Sequence, residues 1–322
     1  MTSSEVIDVS FRMFQVLGWT FLRLSVGPVL FCMAAMAFVL QYALPGFFET
    51  SNNANFVVQL QEASTAVALS FFVGGPLFLV GVSAVTASVT QLVSDYMVGN
   101  VPDERVAQAA MTKVLPKLLG LSFRELFLSS GGVLLMILLL MASAVVTKVF
   151  PQQENLSGVI LGVGLIGFIP AGLIFLYVRV THSLAPTITV LENLGPNQAA
   201  KRSKYLVNTA DLQGSGQSTI ISLFFLCGFI TLVLWIGLAT TESMFDLGNQ
   251  VEMFASNLPL PGLFTQAFEL IPAFLSLWVV LPLWAATTTV LYYDRRIRLE
   301  GYDIEALAGD VWRADQQSRF QL

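Results

Sequence analysis

The sequence predicts an all-α, polytopic membrane protein with six transmembrane helices and amphipathic helices lying at the interface. Three observations carry that expectation. The residues AVILMFWYC make up 55% of the chain and charged residues only 11%, against about 45–50% and ~25% in ordinary soluble domains. Six intervals are free of charge altogether: 24–48, 63–94, 126–147, 155–178, 212–241 and 270–293. Each exceeds the roughly 20 residues that a helix needs to cross the hydrocarbon core. Unpaired backbone groups are not tolerated in lipid, and runs this continuous are not the alternating strands of a barrel. The third observation is where the cations fall. Of the sixteen Lys and Arg residues, all but Lys148 occupy alternate segments between these intervals. The positive-inside rule then places both termini in the cytoplasm.

Taken in order, residues 4–24 put Val6, Val9, Met13, Val16 and Leu17 at helical spacing beside Arg12 and Arg23, so an interfacial helix is expected before a first span at about 26–46. A second span follows at about 66–93 and contains Gly74, Gly75, Pro76 and Gly81. Residues 101–119 read as a second interfacial helix, with Asn100 as its N-cap, Pro102 in the first turn, and a bend at Pro116. Its cations are Arg105, Lys113 and Lys117, with Arg124 just before the third span at about 126–148. A fourth span is expected at about 157–178. It is rich in small residues (Gly158, Gly162, Gly164, Gly167, Gly172) and includes Pro170. Gly158 and Gly162 have the spacing of a small-residue helix contact. PNQAAKRSKYLVN, 196–208, reads as a third interfacial helix. Spans at about 218–240 and 268–292 complete the set, with Pro272 and Pro282 expected to kink the last. Gln108-Ala109-Ala110 and Gln198-Ala199-Ala200 precede spans in the same way, which suggests three units of an interfacial helix plus a transmembrane hairpin. The glycines and prolines at 74–76, 158–164, 170 and 282 are read as packing faces or hinges.

No cleavable signal peptide is expected, because MTSSEVID lacks a basic start and no A-x-A site follows a short apolar core. The segments between spans on the far side are short and acidic, with Glu49, Glu62, Glu154, Glu242, Asp246, Glu252 and Glu269. The net charge of −5 comes from acids on both sides and argues against a nucleic-acid partner.

Ionisable groups at bilayer depth ordinarily mark function, yet Asp95, Glu125, Arg179, Glu269 and Asp294 all fall at span ends. Neutral candidates to line a cavity are Ser70, Thr86, Ser88, Thr90, Thr287, Thr288 and Thr289, although such residues more often hold helices together. His182 is the single histidine, so no multi-histidine metal site forms within one chain, and no metal or cofactor is expected. Cys32 and Cys227 lie inside spans and read as small apolar residues. H-E-x-x-H, G-x-x-x-x-G-K-[ST] and G-x-S-x-G motifs are all absent. Tyr293-Asp294 lacks the Gly-x-Gly-Asp partner of an intramembrane aspartyl protease. No catalytic residue is assigned.

The last apolar run ends in LYYDRRIRLEGYDIE, 291–305. Tyr292 and Tyr293 suit the aromatic belt, and Arg295, Arg296 and Arg298 suit an anionic inner leaflet. Asp294 with Arg298, and Arg296 with Glu300, are i,i+4 pairs that carry the helix into water. Gly301 can end it, and Asp303 can cap a further short helix in the tail 294–322. The dense mixture of both signs with Tyr302 exceeds what a membrane edge requires. Asp294, Arg295, Arg296, Arg298 and Tyr302, beside Arg179, Lys201, Arg202 and Lys204, are therefore expected to bind lipid headgroups or a partner.

These residues carry a resemblance. Tyr292-Tyr293-Asp294-Arg295-Arg296-Ile297-Arg298-x-Glu300-Gly301-Tyr302-Asp303, with Arg179-x-x-x-Ser183-Leu184-Ala185-Pro186, Glu192-x-x-Gly195-Pro196 and Ala199-x-x-x-Ser203, resembles the membrane-domain family of glycerophosphoryl diester phosphodiesterases. The resemblance implies a six-helix protein of a bacterial inner membrane and no phosphodiesterase activity, since a phosphodiesterase barrel would need further histidines. The expected function is non-catalytic: a scaffold or accessory subunit binding membrane lipid and a cytoplasmic or membrane protein partner. The alternative is a translocator or scramblase of lipid or apolar solute, drawn from the glycine- and proline-broken spans.

Overall fold

A computed structural model describes residues 2–42, 73–149, 154–209, 216–255, 268 and 270–301. Among these the secondary structure is helical throughout: α1 Ser3–Tyr42, α2 Gly75–Met97, α3 Glu104–Val149, α4 Glu154–Thr181, α5 Ala185–Leu191, α6 Pro196–Asn208, α7 Gly216–Phe245, α8 Leu247–Ala255 and α9 Ile271–Glu300. Five stretches are long and apolar enough to cross a bilayer: Ser4–Ala37, Gly75–Met97, Ile169–Leu191, Gly216–Leu238 and Ile271–Glu300. The chain is thus an all-helical protein with the elements of a multi-pass membrane protein. The third expected span falls within α3, and Ser70, Tyr302 and the capped helix at Asp303 lie outside the described residues.

The expected division into interfacial helix and span is absent from the first two units. α1 runs unbroken for 40 residues and α3 for 46, about 60 and 70 Å at 1.5 Å per residue. Pro28 and Pro116 are both accommodated inside these helices. Asn100 is not the cap of α3. Asp103 takes that part, its Oδ1 accepting from the Arg105 amide at 2.8 Å, because it stands directly before the first helical residue. Pro272 does not kink α9, since it sits in the first turn, where its missing N–H has no helical partner to lose. Gly301 does end α9, in a left-handed conformation (φ 65°) with its amide donating to Ile297 O.

The packing follows an open arc. α4 packs on α3, α3 on α2, α2 on α9, and α9 on α7, while α1 backs α2 and α9. α4 and α7 close the arc only loosely. These two carry rows of exposed apolar side chains, Ile166, Ile169 and Leu173 on one, Phe225, Phe229 and Leu232 on the other, as a lipid-facing surface requires. The central helices approach closely where small residues allow it. A Cβ at Gly81 would meet Cys32 Sγ at 2.3 Å and the Pro28 carbonyl at 2.5 Å. Cys32 also donates to Phe78 O at 3.3 Å across this crossing. Gly81→Leu is expected to destabilise the protein by about 1–3 kcal/mol, because backbone rather than a flexible side chain blocks the space. Thermal unfolding in detergent measures this, and an unchanged midpoint would show that α1 and α2 can separate freely.

Other crossings are held by hydroxyls and one indole. Thr289 donates to Thr90 at 3.2 Å, Thr187 to Thr288 at 3.4 Å, and Trp278 Nε1 to Leu22 O at 2.8 Å. Ser94 and Tyr293 share a hydrogen bond at 2.7 Å. Ser88 and Thr287 are spent on carbonyls of their own helices.

Candidate functional site

Two neighbouring structures stand at the Lys/Arg-rich end. The first is a clamp formed by α5, α6 and the end of α9. α6 buries Ala199, Ala200, Ser203, Leu206 and Val207 on one face, a spacing of i, i+1, i+4, i+7, i+8 that makes one stripe. Ser203 Oγ donates to Thr181 O at 2.9 Å and accepts from the Leu184 amide at 3.2 Å, which fixes the turn from α4 into α5. Arg202 joins three elements. Its Nε donates to both oxygens of Glu192 at 3.0 and 2.8 Å, and Nη1 and Nη2 donate to the two oxygens of Glu300 at 2.7 Å each. The Glu300 hydrogen bonds come first in holding the Arg202 pKa above its ordinary value, against the opposing effect of burial and with help from Glu192. Tyr292 donates to Glu192 Oε1 at 2.8 Å, and Arg296 donates to Tyr292 and pairs with Glu300.

The remaining tail residues are engaged in the same body. Asp294 accepts from Arg298 Nε at 3.0 Å. Arg295 is 3% exposed; its Nε donates to Leu206 O at 2.9 Å and its Nη2 to Thr209 O. It thus satisfies the carbonyls that every helix C-terminus leaves open, here those of α6. The two motif groups that carry the family resemblance, far apart in sequence, are therefore packed on one another. Of the expected headgroup-binding residues, Lys201 and Lys204 are exposed on the outer face of α6. Lys204 Nζ lies 6.0 Å from the Tyr177 ring, and Arg179 lies 5.5 Å from the Phe175 ring.

The expected packing and hinge positions are distributed differently. Gly74 is the N-cap of α2, Gly75 its first residue, and Pro76 lies in its first turn. Gly158, Gly162, Gly164 and Pro170 all lie within α4. Among the described residues nothing stands within 4 Å of a Cβ added at Gly162. Pro282 is buried inside α9.

The second structure is a cleft of about 460 Å³ enclosed by the arc α2, α3, α4–α5, α7 and α9. Thr86 and Thr288 from the sequence candidates line it, with Ser83, Ser122, Cys227 and Trp284. Its polar end holds Glu125, His182 and Arg179. Glu125 is 7% exposed, and its Oε1 stands 3.9 Å from His182 Nδ1, beyond hydrogen-bond reach. Both atoms are buried without a hydrogen-bond partner. Sequence reasoning treated Glu125 as a span end and His182 as a lone histidine, and so did not join them. A signal existed: Val114, Leu118, Leu121, Glu125 and Ser129 recur at i, i+4, i+7, i+11 and i+15, one core-facing row with a carboxyl group in it. All five are buried. Among the described residues no three His, Cys, Asp or Glu side chains gather as a metal-ligand set. No family model, curated protein or solved structure matches the chain.

Proposed function

We propose that this chain is a non-catalytic protein of a bacterial inner membrane, with both termini cytoplasmic, acting as a scaffold or accessory subunit that engages anionic lipid and a protein partner at its cytoplasmic face. Membership of the membrane-domain family that its motifs resemble is part of this proposal. The observation that carries it is α6: one face is clamped by Arg202, Arg295 and Ser203, and the opposite face presents Lys201 and Lys204 to the outside.

The physical argument is one of preorganisation. A surface element held by several charge-assisted hydrogen bonds loses little further freedom when a partner docks. Lysines near an anionic leaflet each gain about 1 kcal/mol from its potential. In this reading Arg295, Arg296 and Arg298 are positioning residues that set the platform, and Lys201, Lys204 and Arg179 meet the phosphates.

The test uses the protein extracted in polymer nanodiscs. Native mass spectrometry is expected to find anionic phospholipid enriched over the parent membrane, and a stoichiometric protein companion. Lys201→Gln with Lys204→Gln should lower the lipid enrichment several-fold without changing the thermal midpoint. Equal enrichment in wild type and the double variant would remove the platform reading.

A further inference from the structure

We propose that the cleft is a binding site for an amine-bearing phospholipid, with the ammonium on Glu125, the phosphate on Arg179 and His182, and an acyl chain in the adjoining groove between α4 and α7. The argument starts from an unmet demand. Buried polar atoms nearly always have partners, yet Glu125 Oε1 and His182 Nδ1 have none. They cannot serve each other at 3.9 Å.

Most of the cleft's own hydroxyls are already spent, with one hydrogen of the Ser83–Ser122 pair left over. Ser83 and Ser122 bond each other at 3.2 Å. Thr86, Ser183, Thr231 and Thr288 donate to Val82, Val180, Cys227 and Trp284 carbonyls of their own helical segments. The Ser129 hydroxyl goes to the Glu125 backbone carbonyl at 2.6 Å. Arg124 Nη1 is likewise buried without a partner, so a ligand that brings both an anion for the cations and a donor for the carboxylate meets these demands together, and a primary ammonium brings three N–H groups.

The surroundings also call for an anion. Arg179 lines the cleft, Arg124 and Arg179 lie within electrostatic reach of Glu125, and Arg124 and Lys204 within reach of His182. Three cations against one carboxylate leave a positive site. Guanidinium matches phosphate geometry. A group that offers an ammonium and a phosphate a few bonds apart satisfies both demands together. A quaternary ammonium has no N–H, and a glycerol headgroup has no cation for Glu125.

The apolar end identifies the rest of the molecule. A groove of about 480 Å³ runs along α4 and α7, lined by Leu176, Phe225 and Phe229 among others, and it shares Phe224 and Gly228 with the cleft. Among the described residues nothing lies within 4 Å of a Cβ added at Gly228, so this glycine keeps the junction open. A polar site continuous with a lipid-facing apolar groove fits an amphiphile and not a free metabolite. Cleft and groove are each within the range of small-molecule sites, roughly 300–1,000 Å³.

The inference shares Arg179 with the platform reading but is tested separately, because Glu125, His182 and Gly228 line the cleft and Lys201 and Lys204 do not. The experiment titrates delipidated full-length protein in maltoside with dioctanoyl phosphatidylethanolamine. It reads binding and the imidazole ¹⁵N signal of the single histidine. Saturable binding that shifts the His182 signal is expected. The phosphatidylcholine and phosphatidylglycerol analogues, and free phosphoethanolamine, should bind about tenfold or more weakly. Glu125→Gln should lose a similar factor for the ethanolamine lipid. Gly228→Leu, which fills the junction without touching the polar end, should weaken the lipid and leave the ligand-free histidine signal in place. An unmoved His182 signal at saturation overturns the site. Equal affinity for all three lipids, or for wild type and Glu125→Gln, overturns the assignment of the amine to Glu125.

Discussion

Arg295→Met is expected to lower the stability of the folded protein by about 3 kcal/mol, more than any other tail substitution. Methionine keeps most of the volume of the arginine stem but removes the donors that reach Leu206 O and Thr209 O. Those carbonyls belong to the last turn of α6 and its C-cap, where no further helical N–H follows to donate to them. The loss therefore combines charge-assisted hydrogen bonds with carbonyls left unpaired in a buried place. Arg295→Lys keeps the charge near the helix C-terminus but not the two-pronged geometry, so a smaller loss is expected. Unfolding in detergent gives the magnitude, and hydrogen exchange gives the location. Faster exchange confined to amides 203–209 in the methionine variant is the expected pattern. Wild-type stability would mean that the end of α6 is satisfied by other groups.

The second large effect belongs to Arg202. Arg202→Met leaves Glu192 and Glu300 on two sides of a site that has lost their shared cation, with Tyr292 still donating to Glu192. Removing one partner of a fully buried ion cluster costs about 3–5 kcal/mol. These side chains are 17–28% exposed, so water recovers part of it and about 2 kcal/mol is expected. The diagnostic is the triple variant Arg202→Met, Glu192→Gln, Glu300→Gln, which removes the stranded charges and should regain most of the loss. If the triple variant is no more stable than Arg202→Met, the cost lies in packing and not in uncompensated charge. Both substitutions should also loosen α6, which separates a fold effect from the direct loss of Lys201 and Lys204.

Much of the fold could be read from local chemistry. The bounds of α6 follow from Pro196 at its start and a single stripe of small and apolar residues. The end of α9 follows from Gly301, and its i,i+4 pairs Asp294–Arg298 and Arg296–Glu300 form as spaced. The reading erred where a local signal was given more weight than its context supports. The break between interfacial helix and span was not formed at α1 or α3, where Pro28 and Pro116 lie inside continuous helices, because one lost hydrogen bond among dozens does not outweigh continued packing on neighbouring helices. Asn100 and Asp103 are both competent caps, and the one adjacent to the first helical turn prevailed. The candidate sites divide the same way. That Arg295, Arg296 and Arg298 share a helix end is a matter of sequence position. Their engagement with α5, α6 and Glu300 depends on which elements arrive there.

What the sequence determined by itself is the helical class and the place of most of the long helices. Apolar runs with almost no charge have to be helices in lipid, since the backbone must satisfy itself within each segment. Cations gathered in alternate segments mark one end of those helices. What only the tertiary structure decided is which charges are spent and which are left. Helical periodicity gives the angle of a side chain around its own axis and says nothing about the group that meets it from another helix. Arg202 finds two carboxylates and becomes part of the frame, whereas Glu125 and His182 meet at 3.9 Å, beyond hydrogen-bond reach. That difference arises from the arc of α2, α3, α4, α7 and α9, because a cavity exists only between elements and is encoded in none of them singly.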